Sequence, residues 1–434
     1  MSKPVRNKPA VHIVGAGLAG LAAAVRLAGG PREIVLHEAA RQAGGRCRSY
    51  YDPALGMTID NGNHLLLSGN HAARNYLAAI GAGERLAGPP EAEFAFVDLA
   101  TKERWRLRPN AGWLPWWIFS SLRRVPGTGP FDYLGLLRLL VSGKDAPIGA
   151  VMRCDGLLYE RLWRPFFLAA LNTEPAEASS RLAAAVVRET LAKGGRACRP
   201  LVAAQGLSAA FIAPALDYLV KRGVKIRFDH RLRRLEFANG HAAALDFGDD
   251  TVQLDAADKV VLAVPPYAAQ GLVPGLQSPE DYRAIVNAHF KIAPPKNCPA
   301  ILGIVNGTIE WLFAFPGRLS VTISDADRLL DVAREELAER IWAEVAEVTR
   351  IEKALPPWQI IKEKRATFAA TVDENARRPG AGTAYANLVL AGDWTATGLP
   401  ATIEGAIRSG HRAAGLIAAS QKEKGRPGWK IWMA

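Results

Sequence analysis

The stretch VHIVGAGLAGLAAAVRLAGGPREIVLHEA, residues 11–39, constrains this chain more than any other. Val11 to Val14 reads as a buried strand, Gly15, Gly17 and Gly20 follow in the spacing GxGxxG, and Leu18 to Ala28 has helical character until Gly29, Gly30 and Pro31 stop it. Glycine lets such a turn take left-handed dihedrals and lets main-chain N–H groups approach a pyrophosphate, to which the helix N-terminus adds partial positive charge. The second strand, Glu33 to His37, delivers Glu38 eighteen residues after Gly20, where a carboxylate accepts hydrogen bonds from a ribose diol and repels a 2′-phosphate. A nucleotide other than NADP is therefore expected here, with Leu18, Ala19 and Ala39 flanking it.

NAD and FAD share this turn, and two further segments decide between them. RQAGGRCRS, Arg41 to Ser49, sets Gly44, Gly45 and Arg46 just after the ribose acid, a second close backbone approach with a guanidinium for the diphosphate or the flavin edge. NLVLAGDWTATGLPATIEGAIRSGHRAA, Asn387 to Ala414, reads as a buried strand, a Gly392–Asp393 turn and a helix rich in small residues. Asp393 suits ribityl hydroxyls, and the helix N-terminus, with Leu399, Ala401, Thr402 and Ile403, suits the flavin N1–C2 carbonyl region, which becomes anionic on reduction. Taken alone, the first is a turn and the second a core helix; their order after a nucleotide fold points to FAD.

These residues resemble the flavin-dependent amine oxidoreductase superfamily, which includes monoamine oxidases, protoporphyrinogen oxidases and carotenoid desaturases. The likeness extends to DNGNH at 60–64, AAQGLSAAF at 203–211 and VVLAVPP at 260–266. LWRPFFLAALNTEPAEASSRLAAAVVRETL, Leu162 to Leu191, and IVNAHF, Ile285 to Phe290, resemble its squalene-associated branch, the bacterial hydroxysqualene dehydroxylases. The resemblance implies a glutathione-reductase-like, Rossmann-type FAD domain assembled from 8–70, 200–268 and 384–420, with the Leu232 backbone beside adenine and Val264 nearby. The segments 71–199 and 269–383 then form a mixed-sheet substrate domain with a helical lid, and 421–434 a basic tail. Within the middle block a helix is expected at Leu207 to Lys221 and a hairpin at Asn239–Gly240; the pattern from Arg328 to Val348 reads as an amphipathic surface helix.

With 434 residues, 49% hydrophobic and 22% charged, the chain can bury a sizeable core in two or three domains. Cys47, Cys154, Cys198 and Cys298 are scattered without a CxxC pair, which argues against a metal cage or disulfide framework and for a reducing cytoplasm. No run of about 18 uncharged apolar residues is present to span a membrane. The formal charge is +12, however, and around Trp105, Trp113, Trp116 and Trp117 stand Arg104, Arg106, Arg108, Arg123 and Arg124. Interleaved tryptophan and arginine suit peripheral docking on an anionic membrane surface; they equally suit a core or a substrate tunnel. Nucleic acid is not expected, since no recognition motif accompanies the charge.

No P-loop lysine, GxSxG elbow or metal-spaced cluster occurs, so the cofactor carries the chemistry. Where amine oxidases set an aromatic residue against the flavin, this chain has Gly398, Leu399, Pro400 and Ala401, an aliphatic surround that suits an isoprenoid hydrocarbon. The branch resemblance implies reductive removal of the hydroxyl of hydroxysqualene, with an external electron donor recharging the flavin. Carotenoid or isoprenoid desaturation, and a non-catalytic flavin-containing lipid-presenting role, stand as alternatives. Dehydroxylation needs an acid near the hydroxyl, for which His64, His289 and Asp60 are the candidates and Glu404 a further one; each also reads as a satisfied hydrogen-bonding residue.

Overall fold

The computed structural model describes residues 8–352 and 354–424; the expected basic tail lies outside the described residues from 425 on. Five short strands form a parallel sheet in the order Leu388–Leu390, Lys259–Leu262, Ala10–Val14, Glu33–His37, Lys225–Arg227. Ile13 lies between Val261 and Leu36, all buried on both faces, which is why these strands read as apolar runs. Helix Leu18–Leu27, mostly alanine and leucine, packs against one face and against the terminal helix Ile403–Lys424. The other face meets an antiparallel meander, Arg234–Ala238, His241–Asp246 and Thr251–Gln253, whose first turn is made by Asn239 and Gly240, both at positive φ.

A second, seven-stranded sheet runs Trp358–Phe368, Tyr282–Phe290, Arg318–Ile323, Trp311–Phe315, Ile301–Val305, Phe94–Asp98, Arg104–Leu107. Its alternation decides its two faces. Val286, Ala288, Phe290, Leu312 and Val321 pack on helix Arg334–Thr349, while Phe96, Trp105, Trp311, Phe313 and Phe315 join the short helices Arg164–Leu171 and Ser180–Glu189 in one apolar cluster.

Two expected helices differ in their bounds. The one expected from Arg328 starts at Arg334, because Lys362 Nζ takes the carbonyls of Leu330 and Val332 that a longer helix would use. The one expected from Leu207 opens as a wide π-turn, Ser208–Ile212, before Ala213–Val220; Pro214 has no N–H to close an ordinary turn there.

The tryptophan-rich segment splits. Trp105 stacks on Phe96 beneath the Arg161 guanidinium, and Trp117 is buried edge-on to Tyr133. Trp113 and Trp116 stand 70% and 63% exposed, in the company of exposed Phe119, Leu122, Phe131, Leu134, Leu137 and Val141.

Candidate functional site

The strand–turn–helix at 10–27 is closed on the protein side and open on the other. A Cβ on Gly20 would lie 1.9 Å from the Gly15 carbonyl oxygen, whereas nothing stands within 4 Å of the Cβ position of Gly17. The open side is where the first-turn amides of Leu18, Ala19 and Gly20 lack intrahelical acceptors. A second glycine strip runs alongside: Gly44 N–H donates to the Ala16 carbonyl at 2.8 Å, and a Cβ on Gly45 would come 3.5 Å from Gly17 Cα. Two side-chain-free backbones side by side fit a dinucleotide diphosphate.

Glu38 follows the second strand with its carboxylate accepting from Ala16 N–H at 2.7 Å and from Ala40 N–H at 2.9 Å. Each oxygen keeps a lone pair for a ribose hydroxyl, and exposed Ala39 leaves the approach clear. The loop carrying Leu232 is held beside this acid, since His230 N–H donates to the Glu38 carbonyl at 2.8 Å. Val264, at the end of strand Lys259–Leu262, accepts from the buried Trp394 indole at 3.0 Å, which ties that strand to the closing turn.

Beside the closing turn Arg46 Nη2 donates to both carboxylate oxygens of Asp393, at 2.6 and 2.7 Å, and Nη1 donates to the Ala366 carbonyl. Burial opposes the charge of Arg46, yet Asp393 holds its pKa above the ordinary value. Arg378, absent from the sequence expectations, supports the same turn: Nη2 donates to the carbonyls of Asp393 and Thr395, and burial lowers its pKa to about 10. Leu399 and Ile403 are buried, and Thr402 caps its own helix by accepting from Gly405 N–H at 3.0 Å. The terminal helix is tied to the turn at Gly392–Asp393 by Gly392 N–H, which donates to Ser409 Oγ at 2.8 Å.

The four acid candidates have different duties. Asp60 Oδ1 accepts from Ser49 Oγ at 2.6 Å and Leu207 N–H at 2.8 Å, and Oδ2 faces Arg318 at 3.6 Å, so Asp60 secures the start of a neighbouring helix. His289 is fully buried; Nε2–H donates to the Asp60 carbonyl at 3.1 Å, which leaves Nδ1 to accept from Ser320 Oγ–H at 2.7 Å, and burial with the Arg318 cation lowers its pKa to about 3. Glu404 caps the helix His71–Ala79 rather than its own, accepting from Ala72 and Ala73 N–H at its start. The ring of His64 makes no hydrogen bond to another described residue, and burial lowers its pKa to about 4 against the opposing pull of Asp60. Its neighbours Asn61 and Asn63 bond to Glu363 and Thr322 and hold the DNGNH loop on the seven-stranded sheet. Among the described residues no cluster could hold a metal ion.

The aliphatic surround continues outward. Ala401 and Leu65 pack against the apolar cluster that contains Trp163, Phe167, Phe313, Phe315, Phe368 and Trp394.

Comparison with known proteins matches the family of flavin containing amine oxidoreductases over residues 18–418. A hydroxysqualene dehydroxylase of Rhodopseudomonas palustris is 56% identical, covering 94% of this chain and 98% of that protein. One of Zymomonas mobilis is 49% identical, covering 93% and 98%. The structure of cyclohexylamine oxidase from Brevibacterium oxydans, 16% identical, superposes with a TM-score of 0.68 over 96% of this chain and 100% of that one, which shows a shared fold. The chain therefore belongs to the flavin-containing amine oxidoreductase family and, within it, to the hydroxysqualene dehydroxylases.

Proposed function

We propose that this FAD-dependent oxidoreductase removes the hydroxyl group of hydroxysqualene and releases squalene and water. The observation that supports this most is the aliphatic turn Leu399–Pro400–Ala401, which leads into an aromatic and aliphatic cluster under the helices at 164–189. Such a wall binds a long hydrocarbon through buried area, at about 25 cal/mol per Å². When bound and reduced, FAD would supply the hydride.

The chain's own residues bind, orient and exclude. The amides of 18–20 and the backbone at 44–45 hold phosphates, Glu38 holds a ribose, and Arg46 with Asp393 fixes the ribityl end. The allylic C–O bond breaks with its electron pair on oxygen while hydride closes the carbon, and the oxygen leaves as hydroxide that takes its proton from solvent on release. His64, neutral at pH 7, presents an N–H to the departing oxygen and leaves Asp60 and His289 to hold the loop beneath it. The apolar cluster keeps out bulk water that would recapture the allylic cation.

The exposed plate at 113–141 supports peripheral docking on the anionic inner face of a membrane, with Arg123, Arg124 and Arg138 among its apolar side chains. Among the described residues no helix is long and apolar enough to cross a membrane. An anaerobic single turnover tests the reaction: dithionite-reduced protein given hydroxysqualene should reoxidise and yield squalene in proportion to flavin. Bleaching of oxidised protein by squalene or phytoene would favour desaturation instead, and silence in both assays a lipid-presenting role.

A further inference from the structure

Three imidazoles stand in a row where the nucleotide sheet meets the meander. His12 Nδ1 lies 3.1 Å from His37 Nε2, and His37 Nδ1 lies 3.0 Å from His230 Nδ1. The rings are nearly parallel, with centroids 5.4 and 5.1 Å apart, and His230 ends the row by stacking on Phe247 at 3.8 Å. Their layer is otherwise apolar: Val14, Val260, Leu262 and Phe247 are buried in it. Fold alone does not call for titratable rings there, since packing in such a layer is satisfied by aliphatic side chains.

The row is joined to the nucleotide site at two points. His37 immediately precedes Glu38, and its carbonyl accepts the Gly15 N–H at 2.7 Å. His230 donates its N–H to the Glu38 carbonyl and lies two residues before Leu232. Its loop leaves strand Lys225–Arg227 through Asp229, whose φ of +52° is uncommon for a non-glycine residue. The loop is fastened to the second strand and the residues just after it by the backbone bonds of Asp229 and His230 to Ala40 and Glu38, by an exposed Asp229–Arg41 ion pair at 3.7 Å, and by the His37–His230 contact.

We propose that His37 and His230, braced by His12, form an acid-opened latch that positions the loop at 229–232 over the adenosine half of the cofactor. This rests on the placement of adenosine between Glu38 and Leu232. Each N···N contact needs one N–H and one lone pair, and a neutral His37 offers one of each. The charges facing the row are Arg227 from the neighbouring strand and Asp250 from the meander turn, themselves paired at 2.7 Å, with Asp250 3.7 Å from His230 Nε2. Burial and Arg227 hold the pKa of His230 below its ordinary value despite Asp250, and burial with its neighbours holds His37 at about 2. Swinging the loop out returns His230 to the ordinary range near 6.5, so opening takes up a proton and acid favours it.

The test is FAD affinity of the full chain as a function of pH, read by fluorescence of the released flavin. In the unsubstituted protein the dissociation constant should rise severalfold, at most about tenfold, between about pH 7.5 and 5.5. In His230→Phe, which keeps the stack on Phe247 and cannot titrate, affinity should be weaker at pH 7.5 and change less than about twofold over the same interval. An equal acid dependence in both proteins overturns the latch. ADP as competitor separates this from the site assignment: if ADP displaces FAD at pH 7.5 the adenosine placement stands whatever the latch does, and if it does not, placement and latch fall together.

Discussion

Arg46 and Asp393 stand 347 residues apart in sequence, and a single guanidinium nitrogen of Arg46 grips both carboxylate oxygens of Asp393. Asp393 is buried while Arg46 keeps 44% of its side chain accessible, so the pair holds its anion inside and its cation at the rim. Asp393→Asn keeps the shape and removes the charge. It should weaken FAD retention tenfold or more and lower the melting temperature, measured by flavin titration and calorimetry. Arg46→Met with Asp393→Leu should cost less than the two single changes added, by about 0.5–3 kcal/mol, because the double variant leaves no stranded charge.

Gly17 and Gly20 separate cofactor fit from folding. A Cβ at Gly20 collides with the Gly15 carbonyl, a backbone atom that cannot move aside cheaply, so Gly20→Ala should lose both flavin and thermal stability. A Cβ at Gly17 meets no protein atom and points into the space assigned to the diphosphate. Gly17→Ala should keep the apoprotein's melting temperature within a degree or two and leave the protein colourless. A yellow Gly17→Ala protein would mean that the phosphates lie elsewhere.

The two histidines near Asp60 should part company in assay. His289 has its pKa lowered to about 3, so it stabilises the fold fully above the unfolded value near 6.5, and that stability drains away as pH falls below it. At pH 5 the loss is about 2 kcal/mol. His289→Asn should flatten this acid arm of the melting curve, with turnover per bound flavin unchanged. His64→Gln should instead lower turnover about 10- to 100-fold at full flavin content. Because the ring is uncharged down to about pH 4, no limb of the pH–rate profile between about pH 5 and 8 should vanish in that variant. A limb near 6.5 that did vanish would make His64 a charged acid.

The strand–turn–helix–strand unit of the candidate site could be read from the chain because its signals are local. Gly15 to Glu38 is one continuous supersecondary unit, and backbone chemistry at a phosphate turn leaves little choice of residue. The side chains that act across long sequence gaps are another matter. Arg378 reaches the closing turn from an unremarkable ARRPG stretch, and Glu404 caps a helix more than 300 residues earlier because its carboxylate meets Ala72 and Ala73 only once the terminal helix has packed. The signal for Arg378 was at most an arginine beside a proline just ahead of a buried strand. The spacing of Trp116 and Trp117 gave no hint of which faces outward, since adjacent residues on a 3₁₀ turn point about 120° apart and the partner, Tyr133, comes from a later turn.

That difference decides which tryptophans test docking. Trp117 is core, so Trp117→Ala should destabilise the protein by about 3–5 kcal/mol and leave liposome binding of the folded fraction intact. Trp113, Trp116 and Leu122 meet solvent on an apolar plate that a free globular surface would rarely carry. Tryptophan favours the headgroup boundary, and each arginine near an anionic surface adds about 1 kcal/mol, an attraction confined to about a Debye length. Trp113→Ser with Trp116→Ser should therefore reduce binding to phosphatidylserine-containing vesicles at least tenfold at an unchanged melting temperature, and Arg123→Gln with Arg124→Gln should weaken it mainly at low salt. Sedimentation with vesicles at about 0.1 and 0.5 M salt reads both effects. Equal binding by all four proteins would remove this plate from the membrane and leave it for another partner.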